Sequence, residues 1–138
     1  MTKTKLTLIV LLICGNHSFS QSILSDTDKL ASLGKVWGFL KYYHPKIADG
    51  KYNWDEELFK ILPEVKNCTN KQQLSKVYID WFDKFGEVKK CKKCGQNSAL
   101  DFFNLNFNLN WIYNEAVFTN ELSERLTHIE QNRHQGKK

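Results

Sequence analysis

Between Leu33 and Pro63 the chain sets helix-spaced apolar repeats against residues that stop helices, and this punctuation constrains the fold more than any other feature. Leu30, Leu33, Trp37, Leu40 and Tyr43 recur at three- and four-residue intervals, the spacing that gathers side chains on one helix face. Val36 and Phe39 widen that face, so a helix over 26–43 is expected to be buried on more than one side. Ser25 or Thr27 can cap its start, where the helix dipole also favours Asp26 and Asp28. Pro45 ends it, because a residue before proline is pushed out of the helical region. A connection over 46–53 follows, turned by Asp49-Gly50. Asn53 then caps a helix over 53–66 with Asp55, Glu56 and Glu57 in its first turn and Trp54, Leu58, Phe59 and Leu62 as its apolar face. Pro63 is expected to kink or end that helix.

The rest of the chain continues the pattern. Asn70-Lys-Gln-Gln73 has the form of a capping box and opens a helix over 70–85, with Leu74, Val77, Tyr78, Trp81, Phe82 and Phe85 in helical repeat. Gly86 stops it, since glycine takes the left-handed conformation at little cost. Residues 87–99 are polar and read as a loop. In 103–111 the pattern changes to strict alternation: Phe103, Leu105, Phe107, Leu109 and Trp111 are separated by asparagines. That period predicts an extended segment laid across the helices, because no second strand is evident to pair with it and asparagine disfavours a regular sheet. Thr119 or Asn120 caps a last helix over 119–132, in which Leu122, Leu126 and Ile129 share a face. The expected fold class is therefore all-α, a small bundle of about four helices with one extended aromatic segment.

The N-terminus reads as a targeting segment outside the fold. Lys3 and Lys5 precede the short apolar run Leu6–Ile13, and Ser18-Phe19-Ser20 offers small residues where a signal peptidase cuts. The run is too short for a membrane span. A lipoprotein signal using Cys14 is the rival reading, weakened by the bulky Ile13 before it. The expected organisation is a signal peptide at 1–20, a helical domain at 21–132 and the start of a linker or tail at 133–138, with export to the periplasm or beyond. The chain has 138 residues, enough for one domain. Removing the signal takes away two lysines and no acid, which lowers the formal charge from +5 to +3. The lysines of the mature chain are interspersed with acids except at Lys89, Lys90, Lys92 and Lys93, so no nucleic-acid footprint is expected.

Cys91-x-x-Cys94 is the strongest chemical motif. Its readings are a disulfide, within the pair or from one member to Cys68; half of a zinc site completed by Cys68 and a histidine such as His44; a redox pair whose thiolates are favoured by the flanking lysines; or inert thiols. Export favours the disulfide, and three cysteines in the mature chain leave one thiol over. Tyr42, His44 and Tyr52 form a possible ligand surface for a peptide or a glycan, while Trp37 and Trp54 are expected in the core. No cofactor is indicated. No nucleophile, base and oxyanion donors stand in a catalytic arrangement: Ser75 and Lys76 are helix neighbours that face different ways, and Ser123 and His128 are poorly spaced for pairing.

Val36–Pro45 (VWGFLKYYHP) followed by Lys51–Pro63 (KYNWDEELFKILP) resembles the N-terminal region of exported serine peptidases of the carboxy-terminal-processing, or tail-specific, family of Bacteroidetes-type bacteria. Trp81 with Gly86-Glu87-Val88, Cys91-x-x-Cys94 and Glu130-x-Asn132-Arg133 extend the resemblance over nearly all of the mature chain. It implies a serine nucleophile and a lysine base in a larger downstream domain, often behind a peptide-binding module. None of these is in the 138 residues, so no catalytic residue is carried over. The expectation is a non-catalytic leader domain that docks to a peptidase domain or to a protein or peptide substrate. The alternatives are a stand-alone secreted module for peptide or glycan, or a small zinc-binding protein. If the signal reading holds, expression in an exporting bacterial host yields a mature chain whose N-terminal sequence begins at Gln21; a product beginning at Met1, or lipid-modified at Cys14, would refute it.

Overall fold

A computed structural model of the chain describes residues 23–91 and 108–133. Five α-helices and one 3-10 turn make up its regular structure, and no strand occurs among the described residues. The helices are α1 (Asp26–Tyr43), α2 (Pro45–Ala48), α3 (Trp54–Asn67), α4 (Lys71–Asp83) and α5 (Asn120–Gln131), with the 3-10 turn at Asn110–Tyr113 before α5. The all-α bundle expected from periodicity is the fold.

The helix starts are written in local side-chain chemistry. Ser25, Asn53, Asn70 and Thr119 each accept a hydrogen bond from a backbone N–H in the first turn of α1, α3, α4 and α5. At α4 the capping box is displaced by one residue: the Gln73 carboxamide oxygen accepts from the Thr69 N–H at 2.8 Å. Pro45 does two things. It turns His44 out of α1 into extended backbone, and it then occupies the first position of α2, where its missing N–H costs nothing. The connection expected at 46–53 therefore begins with a helical turn before Gly50, at φ +74, reverses the chain.

Three expectations need correction. Pro63 does not end α3, which runs on to Asn67. Pro63 lies on the exposed side of α3, so the carbonyl left without an N–H donor there faces water. The buried faces of α1 and α3 are also rotated from those read off the spacing. Lys29, Ser32, Leu33, Val36, Phe39 and Leu40 line the buried side of α1, leaving Leu30 47% exposed, and Trp54, Ile61 and Val65 line that of α3, leaving Phe59 69% exposed. Two polar residues account for the shift in α1. The Lys29 ammonium donates to the Lys66 carbonyl at the end of α3 (2.9 Å), and the Ser32 hydroxyl bonds with that of Tyr78 (2.8 Å). Third, the extended backbone expected through Trp111 ends before it, although Leu109 and Trp111 still pack on the core while Asn108 and Asn110 stay exposed. Asn108 Oδ1 accepts from the Asn110 N–H (2.9 Å), and the chain enters the 3-10 turn, which also buries Ile112. Asparagine's capacity to hydrogen-bond its own backbone competes with extended structure. Phe103, Leu105 and Phe107 lie outside the described residues.

Helices α1 and α3 are antiparallel, since Lys29 reaches Lys66 while Trp37 meets Trp54. Helix α4 closes on both, with Tyr78 and Trp81 fully buried, and α5 packs on α4 through Leu122 and Leu126. Trp54 stacks on Trp81 at 4.8 Å between ring centroids, in nearly parallel planes (6°). The C-terminal turn of α4 closes with the Gly86 N–H donating to the Asp83 carbonyl at 2.9 Å. Gly86 is left-handed at φ +86, and a Cβ there would meet Lys46 Nζ at 2.5 Å. Gly34, by contrast, is an exposed position inside α1 with open space where a Cβ would be. Chemical denaturation of two variants checks this contrast. Gly34→Ala is expected to stabilise the fold by about 0.5–1 kcal/mol, and Gly86→Ala to destabilise it by at least about 1 kcal/mol.

Candidate functional site

Two concavities gather the residues singled out in the sequence, and they divide them. The first is a hollow of about 470 Å³ between the end of α1 and the α2–α3 connection, walled by Tyr42 and Tyr52. Their rings are 67% and 43% exposed. Tyr52 leans edge-on against Phe85, with centroids 4.9 Å apart and planes at 78°. Lys41 crosses from α1 to α3, pairing with Asp55 at 3.3 Å and lying 4.6 Å over the Trp37 ring. Trp37, expected in the core, is half-buried, whereas Trp54 is buried.

His44 is not in that hollow. It lies in a second concavity, a cleft of about 520 Å³ walled by the end of α4, the segment after Gly86 and one side of α5. His44 is only 1% exposed, and its Nδ1 has no protein hydrogen-bond partner among the described residues. Burial holds its pKa far below the ordinary value, at about 4, and the nearby Lys46 charge adds to this; the Gly86 backbone and the Asp83 carboxylate oppose the shift without reversing it. His44 is therefore a neutral ring at neutral pH. Across the cleft, Arg125 of α5 pairs with Asp83 and lies 5.5 Å from the Phe82 ring.

Spacing did not reveal a hydrogen-bonded hub beside this cleft. His128 Nε2–H donates to the Val88 carbonyl (2.8 Å), leaving Nδ1 to accept from the Asn132 amide at 3.4 Å. The same amide group donates to the His128 carbonyl (2.8 Å), and Asn132 Oδ1 accepts from the Cys91 N–H (2.7 Å). Asn132 is buried and so ties the segment before the cysteine pair to the end of α5. The signal available in the sequence is Glu130-x-Asn132-Arg133, but the Cys91 N–H that Asn132 holds is 41 residues away.

The cysteines do not form one cluster. Cys68 caps the end of α3 as a buried free thiol, donating to the Glu64 carbonyl at 3.3 Å. Burial pushes its pKa up, which suppresses the reactive thiolate. No disulfide therefore runs to Cys68. Cys91 is half-buried, and Cys94 lies outside the described residues. Among the described residues no group of three His, Cys, Asp or Glu side chains is placed to hold a metal ion. The hydroxyl candidates are also engaged. Ser75 Oγ accepts from the Thr119 N–H (2.9 Å), and Ser123 donates to the Ile112 carbonyl (2.6 Å) while His128 turns to Val88. No helix among the described residues is long and apolar enough to cross a membrane.

No family model matches the chain, and no curated protein or solved structure matches it.

The histidine geometry sets a pH dependence. The unfolded chain takes up a proton on His44 near pH 6.5, but the folded chain does so only near pH 4. The unfolded state binds more protons between these values, so this contribution to stability is complete above about pH 6.5 and is lost as the pH falls towards 4. The shift corresponds to about 3 kcal/mol. Urea unfolding from pH 7 to pH 4 should show this loss in the native chain and a correspondingly shallower dependence in His44→Asn. Parallel curves for the two proteins would contradict it.

Proposed function

We propose that the chain is an exported, non-catalytic helical domain of the leader type found in tail-specific serine peptidases, and that it docks to a peptidase domain or to the protein substrate of one. Support comes first from the segments that carry the resemblance. Val36–Pro45 and Lys51–Pro63 form the α1–α2–α3 junction, where Trp37 and Trp54 bond to each other's carbonyl and Pro45 opens α2. The resembling residues are thus those that build this corner of the fold.

The observation that carries the non-catalytic part is the engagement of the reactive side chains. Ser75 and Ser123 bond to backbone groups, Lys76 pairs with Asp80 at 2.8 Å, and the Cys68 thiol is buried. A hydrolase needs a nucleophile within reach of a base, and these groups offer none. Docking is supported by large apolar side chains left in solvent on α1 and α3, including Leu30 and Phe59. A disulfide within Cys91-x-x-Cys94 is the reading that export would favour, and the free Cys68 thiol is compatible with it.

Reading the gene beyond the codon for Lys138 tests the proposal. The expected result is a serine–lysine peptidase domain, in frame or recovered past a single stop or frameshift. An unrelated neighbouring gene would remove the peptidase-leader reading.

A further inference from the structure

The hollow beside Tyr42 and Tyr52 opens on the surface over part of the core. Its floor includes Ile47 and Trp54, both buried, and Trp54 is held from behind by the Trp81 stack. Tyr52 is braced by Phe85 and still 43% exposed, and Tyr42 stands 67% exposed on the last turn of α1. At about 470 Å³ the hollow lies within the range of roughly 300–1,000 Å³ usual for small-ligand sites.

Charge and hydrogen-bonding capacity narrow the ligand class. The two charged side chains lining the hollow, Lys41 and Asp55, pair with each other at 3.3 Å, so the hollow presents no net charge to attract an ionic ligand. Around the rings stand the Asn53 amide, the Asp55 carboxylate and two phenol hydroxyls, which together supply donors and acceptors. A tyrosine ring presents an apolar face and a polar tip. The complementary ligand is neutral, carries many hydroxyls and has flat C–H faces, which is the chemistry of a pyranose ring. Recognition of an extended peptide by strand addition needs an exposed strand edge, and no strand occurs among the described residues.

We propose that this hollow binds a neutral oligosaccharide, with Tyr42 and Tyr52 as its stacking platforms and Asn53 and Asp55 as hydroxyl partners. The site stands independently of the peptidase-leader reading, because its test measures binding and the other reads a gene. The experiment is a two-dimensional amide NMR titration of the folded mature chain with cellotriose, maltotriose, triacetylchitotriose and, as a control, trialanine. The expected result is saturable shifts in residues 41–55 with at least one trisaccharide and none with trialanine. Tyr42→Ala should weaken that binding roughly tenfold. Tyr42 is largely solvent-exposed, so this variant is expected to keep the native amide spectrum elsewhere. Tyr42→Phe, which keeps the ring, should restore most of the affinity. Three results would each overturn the proposal: no saturable shift with any trisaccharide up to about 10 mM, unchanged affinity in Tyr42→Ala, or binding of trialanine in place of the sugars.

Discussion

Two indole groups set the geometry on which the rest of the structure depends. Trp37 Nε1–H donates to the Trp54 carbonyl and Trp54 Nε1–H donates to the Trp37 carbonyl, each at 3.0 Å. A buried indole N–H usually takes an acceptor, and helix backbones offer few that are not already shared. Here each ring uses the other residue's carbonyl, which has a second lone pair available beyond its helix bond. The exchange works in only one register of α1 against α3. Trp54 then passes that register to α4 by stacking on Trp81 and meeting Phe85 edge-on. Three helices are therefore indexed to one another through one pair of residues seventeen apart. The Trp81 indole N–H has no protein hydrogen-bond partner among the described residues, so its place depends on ring stacking and packing alone.

How much of this was legible follows from the range of each interaction. Caps could be read because they act within three residues: Ser25, Asn53, Asn70 and Thr119 lie where the side-chain pattern put them. The fold class could be read for the same reason, from apolar repeats within each helix. Helix phase was less accessible. Leu30 fits the repeat but faces solvent, because the burial of Lys29 and Ser32 depends on Lys66 and Tyr78, which are 37 and 46 residues away. Hydrophobic spacing alone assigns such polar residues to the outside. Pro63 misled for a related reason. Its cost inside a helix depends on whether the orphaned carbonyl can reach water, and that is a property of the assembled bundle.

The same distinction applies to the candidate sites. Tyr42 and Tyr52 share a hollow because α1 ends and α3 begins at the same corner, a consequence of the proline and glycine between them. His44 is two residues from Tyr42, yet it leaves on the other side of the chain, because the extended backbone before Pro45 redirects it under Gly86. The His128–Asn132 hub was out of reach, since its acceptor and donor on the other side are Val88 and Cys91.

These placements show how several chemically versatile side chains among the described residues are engaged in structure. A catalytic group must keep a free lone pair or proton directed at a space that substrate can enter. His128 and Ser123 direct theirs at backbone carbonyls, which fixes the 3-10 turn and the post-Gly86 segment onto α5. His44 keeps an unpaired nitrogen, but that atom is shut away from solvent, and burial keeps the ring neutral. Large apolar side chains directed outward include Tyr42, Tyr52, Phe59 and Tyr113. The polar side chains of Ser75, Ser123 and His128 are thus committed to holding helices and turns together.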